Sequence, residues 1–134
     1  MKIIITGGCG FIGSHLVEKL VEHNNEIVVI DNLSTGRLSN IENFKDKVIF
    51  VESDLSINND IWIKHFENTD KVFHIAALAD IVPSIEDPSG YFNSNVQATL
   101  NVLEASRKYG IKKFIYAASS SCYGIPDNFP TKED

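Results

Sequence analysis

A parallel α/β sheet, doubly wound by helices on its two faces, is the fold this 134-residue sequence predicts, and three observations predict it. Strand-length apolar runs alternate with amphipathic stretches along the whole chain. Each apolar run ends in polar or small residues, as strands buried on both faces do where they emerge toward solvent. The first run is followed by a glycine-rich turn that opens a helix, Thr6-Gly7-Gly8-Cys9-Gly10-Phe11-Ile12-Gly13. With right-handed crossovers, a glycine turn directly after the first strand predicts the strand order 3-2-1-4-5.

Residues 2–6, carrying Ile3, Ile4 and Ile5, form the first strand. Residues 12–23 form the first helix, with Leu16, Val17, Leu20 and Val21 as its apolar stripe and Asn24-Asn25 ending it. The β-branched run 26–30 is the second strand, with Asp31 at its carboxyl end. A polar loop over 31–37 leads to a weakly helical stretch at 38–45 and a third strand at 48–51. Residues 58–66 form a helix with Ile61, Trp62 and Phe66 turned inward, and 71–75 are the fourth strand. Residues 76–88, with two prolines and several small residues, read as a loop. A long helix covers 89–109, with Val96, Leu100, Leu103 and Ala105 on its apolar side and Gly110 stopping it. Residues 112–117 are the fifth strand, and the tail from Gly124 reads as loop. A sheet of this kind usually carries a further helix and strand, so the sequence reads as truncated after its fifth strand.

Composition bounds the function classes. Hydrophobic residues make up 43% and charged residues 22%, an ordinary globular balance for one domain. A net charge of −6 without a basic cluster speaks against a nucleic-acid partner. No apolar run approaches the ~20 residues of a membrane helix, so no membrane partner is expected. Cys9 and Cys122 are too few for a disulfide framework and read as free thiols of a cytoplasmic protein. His15, His23 and His65 are scattered, and no metal site is expected.

The candidate site follows from the fold class, because ligands of open parallel sheets lie beyond the carboxyl ends of the strands. Two glycine frames fit a Rossmann-type phosphate turn: Gly8, Gly10 and Gly13, or Gly7, Gly10 and Gly13. In either, the helix that follows offers free N–H groups and the positive end of its dipole to a pyrophosphate. Asp31 stands 18 residues after Gly13, near the offset at which a carboxylate grips an adenosine ribose. Such a carboxylate repels a 2′-phosphate, so the expected cofactor is NAD; Arg37 reads as a surface or adenine-stacking side chain. Asp54 and Leu55, after the third strand, suit an adenine amino group and ring face. The alternative for Asp54 is a turn or helix cap. Ile75, Ala76, Ala77 and Ala79 form a small-residue floor under the nicotinamide half. His74 lies before that strand end and reads as a structural, hydrogen-bonded histidine. Asn95 is placed to tie the loops after the fourth and fifth strands. After the fifth strand, Ser119-Ser120-Ser121 offers hydroxyls toward a substrate alcohol.

In these segments, together with His74-Ile75-Ala76-Ala77, Asn95-Val96 and Ser119-Ser120-Ser121-Cys122-Tyr123-Gly124, the chain resembles the extended short-chain dehydrogenase/reductase family. Within it, the likeness is to the NAD-dependent sugar epimerase/dehydratase group, above all its UDP-glucose 4-epimerase-like members. The resemblance implies that Phe11 and Ile12 cover the pyrophosphate turn and that Asp31, Asn32, Leu33, Ser34, Thr35 and Gly36 hold the adenosine ribose. It implies that Ser119, four positions before Tyr123, is the catalytic hydroxyl residue. It further implies a nucleotide-sugar substrate, UDP-hexose first, and a homodimer formed partly through the helix over 91–109, which would then carry an exposed apolar strip.

Two departures from the family pattern shape the functional expectation. The family's Tyr-x-x-x-Lys pair, whose lysine favours the phenolate, is not in these residues. Four positions after Tyr91, Tyr109, Tyr116 and Tyr123 stand Asn95, Lys113, Ser120 and Asp127, and Tyr109 lies before the fifth strand. The chain is thus expected to be one NAD-binding domain over residues 1–134, without the substrate domain and inactive by itself. The dehydratase branch also places an acid pair directly after the catalytic hydroxyl, where this chain has Ser120 and Ser121. That favours 4-epimerisation by transient oxidation at C4, with 4,6-dehydration, decarboxylation and a non-catalytic NAD sensor as alternatives.

Overall fold

The computed structural model describes residues 1–125 and 129–131. Its centre is a five-stranded parallel sheet in the order β3-β2-β1-β4-β5, as expected. The strands are β1 (Lys2–Thr6), β2 (Glu26–Asp31), β3 (Val48–Glu52), β4 (Lys71–His74) and β5 (Lys113–Tyr116). Thr6 pairs with Ile30 on one side and His74 on the other, and His74 pairs with Tyr116. The carboxyl ends therefore form one level edge, on which the candidate residues stand.

Alternation of side chains along β1 divides the core in two. Ile4, with Val28, Ile30 and Val72, packs against Trp62, Phe66, Ala98 and Val102 on one face. Ile3 and Ile5, with Ile27 and Val29, pack against Cys9, Val17 and Ile41 on the other. The first face is covered by α2 (Asp60–Ile63), the 3-10 turn Lys64–Phe66 and α5 (Ala98–Lys108); the second by α1 (Phe11–Val21) and the 3-10 segment Leu38–Lys47. Trp62 is fully buried, edge-on to Phe66 at 5.6 Å, and its indole N–H donates to the Ile57 carbonyl at 2.9 Å. Removing such a side chain costs about 3–5 kcal/mol.

Helix ends follow the punctuation read in the sequence. Asn24 takes a left-handed φ of 53°, and the Asn25 amide donates to the Leu20 carbonyl, closing α1. Gly110 closes α5 with φ 67°. The tail read as loop falls partly on residues 126–128 and 132–134, outside the described residues.

Four expectations are corrected. The segment 76–88 is not all loop: α3 (Ile81–Glu86) forms there, with Pro83 in its first turn, where a missing N–H costs nothing. The helix over 89–109 is not continuous. Asp87 caps α4 (Pro88–Phe92) by accepting from Gly90 N–H, a π-helical turn spans Asn93–Gln97, and only then does α5 begin. Its apolar side is also different. Val96, Leu100 and Leu103 are exposed, while Ala98, Asn101, Val102, Ala105 and Ser106 face the sheet. The reason is polar: Asn101 donates to the carbonyls of Leu55 and Ser56, and Ser106 to that of Val102, so both are buried with partners. Ile61 likewise points outward from α2.

Candidate functional site

A cleft of about 350 Å³ opens at the carboxyl edge of the sheet, between the glycine turn, the loop after β2 and the segment after β4. The turn is shaped by two glycines. Gly7 has φ 69°, and an added Cβ would stand 2.7 Å from the Ala76 backbone. At Gly13 an added Cβ would collide with the Gly7 carbonyl, so this residue lets α1 close onto the turn. The structure chooses between the two frames. Gly7, Gly10 and Gly13 line the cleft, whereas Gly8 is buried against Val29.

Gly10 is the N-cap of α1 and offers no side chain to its first N–H groups. The helix geometry gives Phe11, Ile12 and Gly13 N–H no intrahelical acceptor; the first bond runs from Ser14 N–H to the Gly10 carbonyl. At Gly10 an added Cβ would meet only the Gly7 carbonyl, at 3.3 Å, and would fill the cleft itself. This is a cradle for an anion. Phe11, 80% exposed, and Ile12 stand as apolar walls at its mouth.

Asp31 holds the cradle in place. It is only 7% exposed, and its two carboxylate oxygens accept from Cys9 N–H and Leu33 N–H, each at 2.9 Å. The first bond ties the glycine turn to the end of β2; the second folds the loop that follows. Each oxygen keeps acceptor capacity, and Asp31 lines the cleft, so the carboxylate can also accept from a ligand diol. Cys9 lies beneath the turn, and burial, with the Asp31 charge second, pushes its thiol up to about 12.

Most of the expected residues are brought together here: besides the turn and Asp31, the cleft is lined by Asn32, Ser34, Thr35, Gly36, Asp54, Leu55, Ile75, Ala76, Ala77 and Ala79. Asp54 also accepts from Ser56 N–H at 2.8 Å, so its turn role and its place in the cleft coexist. Leu33 does not line the cleft; with φ 58° it shapes the loop. Asn95 does not line it either. Its side chain accepts from Leu78 N–H and donates to the Leu78 carbonyl, both at 2.8 Å, clamping the floor loop. Ser119 lies exposed beyond β5, outside the cleft, where its carbonyl accepts from Cys122 N–H at 3.2 Å.

The structure adds Ile30, Ser53, Ser94 and Ala98 to the lining. Ser94 and Ala98 are small residues one helical turn apart, a spacing that could have signalled a helix face kept low for a ligand. His74 is buried, which pushes its imidazole down to about 4, and it is hydrogen-bonded at both ring nitrogens, as its structural reading anticipated. Among the described residues, no three His, Cys, Asp or Glu are grouped to hold a metal ion.

The sequence profile of the NAD dependent epimerase/dehydratase family matches residues 3–134. UDP-glucose 4-epimerase of Bacillus subtilis is 35% identical over 139 residues, covering 100% of this chain and 41% of that protein. Among solved structures, the Thermus thermophilus UDP-glucose 4-epimerase complex with NAD superposes with a TM-score of 0.87 at 37% identity, over 99% of this chain and 43% of the other. The UDP-N-acetylglucosamine 4-epimerase from Methanobrevibacter ruminantium M1 gives 0.88 at 38% identity, over 98% and 42%. The chain thus spans about two-fifths of the length of the relatives it matches.

Proposed function

The chain belongs to the NAD dependent epimerase/dehydratase family, and from that premise we propose that it is the NAD-binding domain of a UDP-hexose 4-epimerase. The observation that carries the reading is the joining of two unlike recognition elements in one cleft: the glycine cradle at the start of α1 and the Asp31 carboxylate. The donor set suits a dinucleotide. The N–H groups of Phe11, Ile12 and Gly13 would hold its diphosphate, and Asp31, with the loop through Gly36, its adenosine ribose. Asp54 and Leu55 would meet adenine, and Ile75, Ala76, Ala77 and Ala79 would lie under the nicotinamide half. Bound there, NAD supplies the acceptor for a hydride from the sugar C4.

The chain's own share of the chemistry is orientation and water exclusion at the cradle. Ser119 is assigned a hydrogen bond to the sugar 4-hydroxyl, which holds that alcohol for deprotonation by a base outside residues 1–134. Serines 120 and 121, standing where a dehydratase would carry its acid and base, support epimerisation. The apolar side chains of Phe92, Val96, Leu100 and Leu103, all exposed along one helical side, support a homodimer, and a strictly monomeric sedimentation profile would count against it.

The test uses the full-length protein that carries this chain. It should hold NAD through purification and interconvert UDP-glucose and UDP-galactose, whereas residues 1–134 alone should bind NAD without turnover. Absence of both NAD and interconversion in the full-length protein would overturn the proposal.

A further inference from the structure

His74 sits behind the cleft, and the directions of its hydrogen bonds are fixed from the Thr99 end. At one end Thr99 Oγ1 lies 2.6 Å from the Asn95 carbonyl, which can only accept, so the hydroxyl donates there. Its oxygen is then the acceptor for His74 Nε2 at 2.9 Å, which must carry the proton. At the other end, Ala76 N–H donates to Thr6 Oγ1 at 3.3 Å, and Ile75 N–H is shared between Thr6 Oγ1 and the Thr6 backbone carbonyl, each at 3.2 Å. With the proton of the neutral ring on Nε2, Nδ1 is bare and accepts from the Thr6 hydroxyl at 2.7 Å. The Thr99 end sets the tautomer, and the Thr6 end accommodates it, its hydroxyl proton directed at Nδ1.

The chain of bonds closes on itself. Asn95, whose carbonyl ends the series, holds Leu78 with both atoms of its side-chain amide, and Leu78 is two residues beyond Ala76, where the series begins. The π-helical turn Asn93–Gln97 contains Asn95, and π-turns of this kind often mark functional positions. The aromatic rings of Tyr116 and Phe114 pack on the imidazole at 5.7 and 5.9 Å.

We propose that His74 is a positioning residue for the cleft floor: as the Nε2–H tautomer it links Thr6 to Thr99 and Asn95 in one closed circuit that sets the height of Ala76 to Leu78. It acts through Thr6 and Thr99 and touches no ligand. The consequence for ligands rests on the dinucleotide reading above. The floor serves the half of the cleft away from Asp31, so the circuit governs NAD and leaves AMP, held at the Asp31 end, nearly untouched.

Three measurements on the 15N-labelled protein test this. Long-range imidazole 15N–1H correlation should show the neutral Nε2–H pattern for His74; an Nδ1–H or doubly protonated pattern overturns the assignment. Thr99→Val, nearly isosteric, should shift the amide resonances of Ala76 and Leu78, although Thr99 is hydrogen-bonded to His74 and Asn95 and to neither of them; unmoved resonances overturn the circuit. In titrations with NAD and with AMP, Thr99→Val should weaken NAD about 5-fold, the worth of one neutral hydrogen bond, with AMP unchanged. His74→Phe should weaken NAD further. His74→Gln, which keeps a donor at the Nε2 position, should recover part of the loss. Equal losses for NAD and AMP, or no rescue by Gln, would make the residue merely structural and overturn the proposal. If the wild-type protein binds neither ligand, the dinucleotide reading fails, and the two resonance experiments still decide the circuit.

Discussion

On the β2 side of the cleft, Asp31 is buried, its two oxygens are engaged by backbone N–H groups, and the glycine turn it holds is closed by steric contact at Gly7 and Gly13. On the β5 side, Tyr116 and Tyr123 are about half exposed, Ile125 almost wholly so, and Ser119 stands outside the cleft. The first side is fixed by groups only 22 residues apart in the chain. The second has an edge strand and a short 3-10 turn, Ser120–Tyr123, for support. The glycine turn is thus held by its own strand–turn–helix unit, while the hydroxyl proposed to meet the substrate stands beyond an edge strand.

Breaking the β2 side should produce the largest effects. Gly13→Val drives side-chain carbons into the Gly7 carbonyl, and NAD affinity in a calorimetric titration should fall by about 100-fold or more. An unchanged affinity would mean the turn is not the phosphate site. Asp31→Ala strips two charge-assisted bonds and leaves Cys9 and Leu33 N–H without their acceptor, an expected loss of roughly 3 kcal/mol in urea unfolding. If Asp31→Ala proved as stable as wild type, the carboxylate would be a ligand group alone.

Acid tests the region between the two sides. The folded His74 pKa, pushed down to about 4 by burial, lies below the unfolded value of 6.5. Stability is therefore complete above pH 6.5. As pH falls from 6.5 toward 4, the unfolded chain takes up a proton that the folded one refuses, and on the order of 3 kcal/mol is lost. His74→Gln should flatten this part of the unfolding profile; an unaltered slope would assign it to other groups. The smallest effect is expected on the β5 side: Ser119→Ala should change NAD affinity by less than about 2-fold, under about 0.5 kcal/mol, while removing turnover of the full-length protein. A large loss of NAD affinity would erase the contrast between the two sides.

What could be read from the sequence divides along the same line. The sheet order, the cradle and Asp31 follow from local spacing, because a strand, a turn and a helix within about 30 residues are placed by short-range geometry. The π-turn at Asn93–Gln97 is not legible in the sequence, since the partner of its Asn95 side chain, Leu78, lies 17 residues away in the chain. The buried face of α5 does not follow hydrophobicity. Asn101 is buried for its bonds to the Leu55 and Ser56 carbonyls, and Leu100 and Leu103 are left outside. Asn95 ties the loop after β4, as its expected anchoring role requires, through both atoms of its side-chain amide, while Leu33 shapes the loop after β2 without lining the cleft.

The burial of Cys9 bears on how the molecule would meet an oxidant. Peroxides and alkylating reagents attack thiolate sulfur, and with its pKa pushed up to about 12 this sulfur is held as a shielded thiol within the turn itself. A reagent can reach it only when the turn lets go of Asp31 and opens. The sulfur is thus a built-in clock for the cradle: its rate of modification counts openings of the turn, and a molecule kept closed by its ligand would outlast an empty one in an oxidising medium.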